Sequence, residues 1–479
     1  MITSRDSFFI GNEWVKPSTS RTFTLVNAST EEEIGTVPEA VEADIDAAVA
    51  AARDAFDNSG WATAEPAERA AVMERFMAAV AARGADLAEA VSVQNGMPIA
   101  LSSQLEGQFG VGVIQYYAEL AKTIGQPDVR PSQMGKETLV RRAPVGVAAA
   151  IVPWNFPVTL ALNKIAPAMA AGCTVVIKPS PGTVLDSYIL AEAALEAGVP
   201  AGVLNWVTAE REAGAYLVNH PGVDKVAFTG STAAGRKIAA ACGELLRPVT
   251  LELGGKSAAI LLEDVDIGSF LQGVPMACML NNGQTCYNGT RVLAPKKRYD
   301  EVVGALADFA KSLNVGNALD PETHVGPMAS SAHRDRVQSY IEIGKDEARL
   351  VAGGGRPADQ NSGFFIEPTV FADVDNSARI AQEEIFGPVL SVIPYDGESE
   401  AVRIANDSEY GLGGSVWSAD SEHAKSIADK VDSGTVGVNG YMPSLGAPFG
   451  GVKASGIGRE FGPEAVGAYQ KLKSIYVMG

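Results

Sequence analysis

The stretch VGVAAAIVPWNFPVTLALNKIAPAMAAGCTVVIKPS, residues 145–180, decides how this chain folds. Its first half is apolar enough to raise the question of a membrane span. A spanning helix needs about 20 apolar residues without a break. Here PWNFP, residues 153–157, interrupts the run with two prolines and an asparagine. The stretch reads instead as a buried strand, a turn, a buried helix ending at Gly172, and a second strand, CTVVIKPS. That is one βαβ unit.

The same texture continues downstream. VLDSYILAEAALEAG reads as a helix, GVLNWVT and KVAFTGS as strands, and TAAGRKIAAACG as a helix. Strand and helix alternating at this pitch predict a parallel sheet. A second alternating block follows LELGGKSAAILLED and runs from TRVLAP to GTVGVNG, with FFIEPTVFADV and GPVLSVIPY among its strands. It predicts a second α/β domain. Upstream, residues 41–95 read as two amphipathic helices, and QFGVGVIQYYAELAKTI continues the helical pattern. Two strands stand apart: ETLVRRAP at 137–144, and the tail YQKLKSIYVMG, which has nothing after it to pair with. The tail is expected to add to a sheet edge elsewhere, in its own chain or in a neighbour's, since exposed strand edges invite pairing.

A chain of 479 residues exceeds one compact core, so two or three domains are expected. A hydrophobic share of 46% with 20% charged residues fits an ordinary folded protein. The formal net charge of −19 and the lack of a basic patch argue against nucleic-acid binding. The N-terminus has no long apolar segment and reads as carrying no secretory leader, so a cytoplasmic location is expected. Four widely spaced cysteines with no CxxC pair form neither a disulfide framework nor a zinc site. The four histidines show no metal spacing and read as surface residues, so no metal is expected.

Cys286 lies in a polar break, NNGQTC, after an apolar helix. Such a loop can expose a thiol and aim backbone N–H groups near it, whereas a free cysteine is commonly a small buried hydrophobe. Both readings stand on local sequence, and Cys278, on the apolar helix itself, takes the core reading. Glu252 ends an apolar strand just before two glycines, a setting that raises a carboxyl pKa toward that of a general base, or leaves a strand-end acid facing solvent. Asn155 in PWNFP is either an oxyanion donor or a turn asparagine. FTGSTAAGR joins strand to helix through Gly230, and its glycines allow a phosphate to approach a helix N-terminus, although it is not GxGxxG. Lys178 ends a strand where open α/β sheets bind ligands.

PWNFP, VVIKPS, FTGST, LELGGKS, GQTC, EEIFGP and PFGGVKASGIGRE occur in that order. Taken together they closely resemble the aldehyde dehydrogenase superfamily, in its hydrolytic NAD(P)-dependent branch, over nearly the whole chain. The resemblance implies an oxidoreductase that converts an aldehyde to the acid through a cysteine thiohemiacetal and thioester. It puts Cys286 as nucleophile, Glu252 as base and Asn155 as oxyanion donor. For the cofactor it implies Pro153, Trp154, Lys178, Ser180, Gly230, Ser231, Leu253, Glu384 and Phe386. For the substrate tunnel it implies Phe109, Phe156, Leu160, Leu280, Tyr287 and Phe449, a set without arginine that suits a hydrophobic or aromatic aldehyde. It further implies a Rossmann-like cofactor domain (1–121 with 145–254), a catalytic domain (255–454), and segments 122–144 and 455–479 forming a small bridging sheet in a homodimer or homotetramer.

One departure bears on the cofactor. Many NAD-preferring relatives carry a glutamate three residues after the lysine, and here that residue is Pro181. NAD is expected, with NADP open. Of the alternatives, a CoA-acylating relative typically lacks the glutamate found at 252. A non-catalytic protein on this fold would lack Cys286. A papain-type hydrolase would need a histidine in a comparable motif.

Overall fold

In the computed structural model, residues 4–125 and 128–478 are described. Residues 1–3, 126–127 and 479, inside the expected bounds of the first domain and the two bridging segments, lie outside the described residues. The deciding stretch folds as a βαβ unit. Val147–Ile151 is a fully buried strand, Pro157–Ala171 a helix, and Thr174–Lys178 a second fully buried strand. Pro157 sits in the first helical turn, where its missing N–H forfeits no bond. The helix stops at Gly172, whose φ of 91° suits a residue without Cβ. The two strands pair in parallel, Val147 opposite Thr174 through Ile151 opposite Lys178.

Leu204–Trp206, Lys225–Thr229 and Val249–Glu252 complete five parallel strands. Alternate residues feed opposite faces. Ala148, Ala150, Val175 and Ile177 join one apolar cluster, while Val147, Ala149, Ile151 and Val176 join another. Helices cover both faces, which is why these strands are apolar throughout. Each valine or isoleucine so buried contributes about 1.5–3 kcal/mol. The register sets Lys178 level with Ile151, and Glu252 level with Thr229, so these side chains share the carboxyl rim of the sheet. Antiparallel strands at both edges, Phe8–Ile10 with Glu13–Val15 and Gly456–Ile457, bring this sheet to eight.

The second block forms a seven-stranded sheet in the spatial order Arg349–Ala352, Thr369–Ala372, Val389–Tyr395, Arg291–Pro295, Ala258–Leu261, Gly414–Trp417, Gly437–Val438. Its pairs are parallel except at the first edge. A third sheet has the antiparallel order Gln470–Val477, Glu137–Pro144, Asp128–Pro131.

Two sequence expectations change, and one left open is resolved. Residues 41–95 hold three α-helices, Glu42–Asn58, Pro66–Ala81 and Gly84–Asn95, because the turn at Ala82 and Arg83 divides the second amphipathic run. The tail does find a partner in its own chain: it pairs along Glu137–Pro144, from Gln470 opposite Pro144 to Val477 opposite Glu137. Within 455–479, only Gln470–Val477 lies in the small sheet, whereas Gly456–Ile457 closes the edge of the first sheet beside Leu251 and Glu252. Among the described residues no helix is long and apolar enough to cross a membrane.

Candidate active site

Cys286 follows the helix Ile267–Ala277 on a loop whose backbone turns sharply. Asn281, Asn282 and Gly283 all have left-handed φ values, 51°, 59° and 79°. A Cβ on Gly283 would meet the Gly387 carbonyl oxygen at 2.0 Å, so only glycine fits. The polar side chains of this loop are spent on backbone. Asn282 Nδ2 donates to the Gly96 carbonyl (2.8 Å), and its Oδ1 accepts from Gly326 N (2.8 Å). Gln284 donates to the Asn95 carbonyl (3.2 Å) and accepts from Ala329 N (2.9 Å). The loop is therefore rigid, and it presents a half-buried thiol. Burial pushes that thiol well above its ordinary pKa, and the carboxyls of Glu384 and Glu252 add to the rise.

The PWNFP turn faces this loop. Asn155 Nδ2 donates to the Gln284 carbonyl at 2.9 Å, which brings the amide next to the nucleophile's loop. The two glycines after Glu252 make the opposite wall. A Cβ on Gly255 would lie 2.3 Å from the Cys286 carbonyl oxygen, and Gly255 N donates to Glu384 Oε1 at 3.1 Å.

Glu252 is 3% exposed, and neither carboxyl oxygen has a hydrogen-bond partner among the described residues. Desolvation raises its pKa well above the ordinary value, Glu460 adds to the rise, and Lys164 and Arg459 oppose it. Lys164 is itself buried, donating to Glu460 Oε1 (2.7 Å) and Thr229 Oγ1 (2.6 Å). Sequence reasoning missed this pair, and both signals were present. Lys164 interrupts an otherwise apolar helix, and Glu460 closes the PFGGVKASGIGRE motif.

On one side of Cys286 lies a narrow cavity of about 80 Å³. Phe109, Phe156, Leu160, Tyr287 and Phe449 line it, as the resemblance implied, together with Leu105, Met442, Pro443 and Phe461, which it did not supply. Leu280 is a correction. It is buried away from the cavity, and its carbonyl instead accepts from Thr285 Oγ1 (2.9 Å) and Asn288 Nδ2 (3.2 Å), bracing the loop.

On the other side lies a cleft of about 670 Å³ lined by Pro153, Trp154, Gly230, Ser231, Leu253, Glu384 and Phe386, and by Asn155 and Cys286. It meets a second hollow that holds Lys178, with Ser231 shared between the two. Ser231 Oγ accepts from Ala234 N (3.3 Å) and caps the helix Thr232–Glu244, whose N-terminus opens on the cleft. Burial lowers the Lys178 pKa to about 8, and its ammonium donates to the carbonyls of Pro179 (3.0 Å) and Ala209 (2.7 Å). Ser180 lines neither hollow, and its carbonyl accepts from Thr183 N. A helix N-terminus for phosphate, a buried cation for ribose and a long cleft that a thiol also lines together fit a dinucleotide.

His333 is a second correction. Rather than a surface residue, it packs against Trp154 (ring centroids 4.9 Å) and Phe386 (5.9 Å), and its Nε2 lies 2.7 Å from the Phe386 carbonyl oxygen. Burial pushes its pKa down to about 4, so it stays neutral. Nothing in its local sequence signalled this, because the contact comes from two distant segments.

The model of the aldehyde dehydrogenase family matches residues 14–475. The chain is 60% identical over 479 residues to the geranial dehydrogenase of Castellaniella defragrans, covering 100% of both chains. It is 39% identical to a 3-succinoylsemialdehyde-pyridine dehydrogenase of Pseudomonas, covering 98% of each chain. Among solved structures, it superposes on a Mycobacterium tuberculosis aldehyde dehydrogenase complexed with NAD+ with a TM-score of 0.97 at 47% identity, covering 100% of this chain and 99% of that one. It superposes on aldehyde dehydrogenase C of Pseudomonas syringae, complexed with NAD+ and octanal, with a TM-score of 0.95 at 39% identity, covering 98% and 96%.

Proposed function

The chain belongs to the aldehyde dehydrogenase family and oxidises aldehydes with a nicotinamide dinucleotide, and we propose that its substrates are apolar, unsaturated aldehydes of the size of geranial. The observation that carries this reading is the lining of the cavity beside Cys286: five aromatic rings wall it, with no charged side chain among its residues. Such a wall offers an aldehyde's hydrocarbon tail dispersion contacts and offers a carboxylate nothing. The relative at 60% identity, whose name specifies geranial, supports the same choice.

In this reading the Cys286 thiolate attacks the carbonyl carbon, and the resulting oxyanion accepts from the second N–H of Asn155 Nδ2, whose other N–H stays on the Gln284 carbonyl. The bound cofactor supplies the hydride acceptor. Lys178, Ser231, Glu384 and the Trp154–Phe386 wall would hold it in the cleft that Cys286 also lines. Glu252 takes a proton from the water that hydrolyses the thioester, and the acid leaves with the thiol restored. Because Glu252 is present, hydrolysis is favoured over acyl transfer to CoA. A homodimer or homotetramer assembled through the small sheet, and a cytoplasmic location, complete the proposal.

The test is kcat/KM, followed by NADH absorbance, across geranial, octanal, benzaldehyde and succinic semialdehyde. Geranial and octanal should exceed the semialdehyde by about a hundredfold or more, the scale on which a pocket rejects a charge it leaves unpaired. A preference for the semialdehyde overturns the substrate assignment.

A further inference from the structure

The turn that carries Asn155 begins the helix Pro157–Ala171, and that helix has no cap of its own. The capping position is Phe156, which has no side-chain acceptor and makes no side-chain cap bond. Pro157 has no N–H, so Val158 and Thr159 carry the first free donors of a buried helix end. The missing acceptor comes from far away in sequence. Glu106 Oε2 accepts from Val158 N at 2.8 Å and lies 3.5 Å from Thr159 N.

Glu106 is 1% exposed and sits in a π-helical turn, Leu105–Phe109. Such turns are rare and concentrate at functional sites. The same turn lends Leu105 and Phe109 to the substrate cavity, and Thr159 Oγ1 returns a bond to the Leu105 carbonyl at 2.6 Å. The cavity wall and the start of the helix are thus stitched together twice. The rest of the PWNFP turn is held from outside as well. Asn95 Nδ2 donates to the carbonyls of Trp154 and Asn155, each at 3.0 Å, and Asn281 Nδ2 donates to the Asn155 carbonyl at 2.9 Å. On the helical side of the turn, Glu106 is the side chain that accepts from the free backbone N–H groups.

We propose that Glu106 is a positioning residue for the reaction: by capping the helix that follows Asn155, it sets where the oxyanion-donating amide stands relative to Cys286. The proposal rests on the catalytic reading of Asn155 given above. Burial pushes the Glu106 carboxyl up to about 8, with Asp186 adding to the rise, so near neutrality it serves as a neutral acceptor. A glutamine keeps that acceptor oxygen, and an alanine removes it. A misplacement of about 1 Å at a reacting group is enough to cost on the order of a hundredfold.

The experiment is a double-mutant cycle on the full enzyme, with kcat and KM for an apolar aldehyde, NAD affinity by titration, and thermal midpoint measured for each variant. Glu106→Ala should lower kcat by about tenfold or more with NAD affinity unchanged, and Glu106→Gln should restore kcat to within about threefold. In the Asn155→Ala background, Glu106→Ala should lower kcat no further, because the group it positions is gone. An equal loss in both backgrounds overturns the proposal, as does an alanine variant that only melts earlier, with kcat intact at temperatures where it stays folded. If Asn155→Ala alone leaves kcat unchanged, the oxyanion reading is at fault, and the role of Glu106 falls with it. That outcome is recognised by the single variant before the cycle is closed.

Discussion

A cysteine attacks as its thiolate, yet in the free chain the surroundings of Cys286 oppose ionisation through burial and the nearby carboxyls of Glu384 and Glu252. Glu252 faces the same difficulty, since burial and Glu460 keep its proton on. The sign of the pH dependence follows. A base whose pKa is raised works only once deprotonated, so steady turnover should climb as pH rises toward that pKa. Glu252→Gln cannot be ionised, so it should flatten this climb and stall after the first turnover. Rapid mixing should then show at most a burst of NADH and slow steady release of acid, and an unchanged steady rate would remove Glu252 from the base role. Cys286→Ala should abolish turnover while leaving the thermal midpoint close to the parent's, because a half-buried thiol contributes little packing. Near-native turnover in that variant would require another nucleophile.

At the scale of the element, the nucleophile's loop depends on Gly283. Its φ is 79°, and the space a methyl would need is taken by the Gly387 carbonyl. Gly283→Ala should therefore cost about 1–2 kcal/mol from the backbone conformation alone, and more from the clash. Turnover should fall further than stability does, because the strain moves Cys286 itself. Thermal melting and kcat measured side by side separate the two, and an alanine variant with parental kcat would show that the loop tolerates the shift. Elements of this kind were only partly legible in the sequence. The strands Val147–Ile151 and Thr174–Lys178 could be read because burial on both faces makes them apolar throughout. Cys286, Glu252 and Asn155 could be singled out as candidates because ordered motifs surround them. Leu280 and His333 were misread, since whether a side chain faces a cavity or a backbone depends on partners remote in sequence. Glu106 escaped for the same reason: its partners, Val158 and Thr159, come 52 and 53 residues later.

For the whole molecule, the small sheet raises a question that its internal pairing does not answer. Gln470–Val477 and Asp128–Pro131 are its two outer strands, each with one edge unpaired among the described residues. The sheet is also exposed, with Leu472 at 67%, Tyr476 at 71% and Val129 at 57%. Open edges combined with apolar side chains in water mark a place where another chain adds on. A symmetric homo-oligomer is the economical solution, since one surface then serves both partners. Light scattering on the intact chain should give a dimer or tetramer. Truncation after Tyr469 removes the whole tail strand, exposes the partner edge of Glu137–Pro144, and should shift the particle toward monomer. Chemistry should suffer less than assembly, because the tail contributes nothing to the lining of the cavity or the cleft at Cys286. A full-length chain that scatters as a monomer at micromolar concentration would show that these edges remain open to water, and the apolar residues on the sheet would then need another partner.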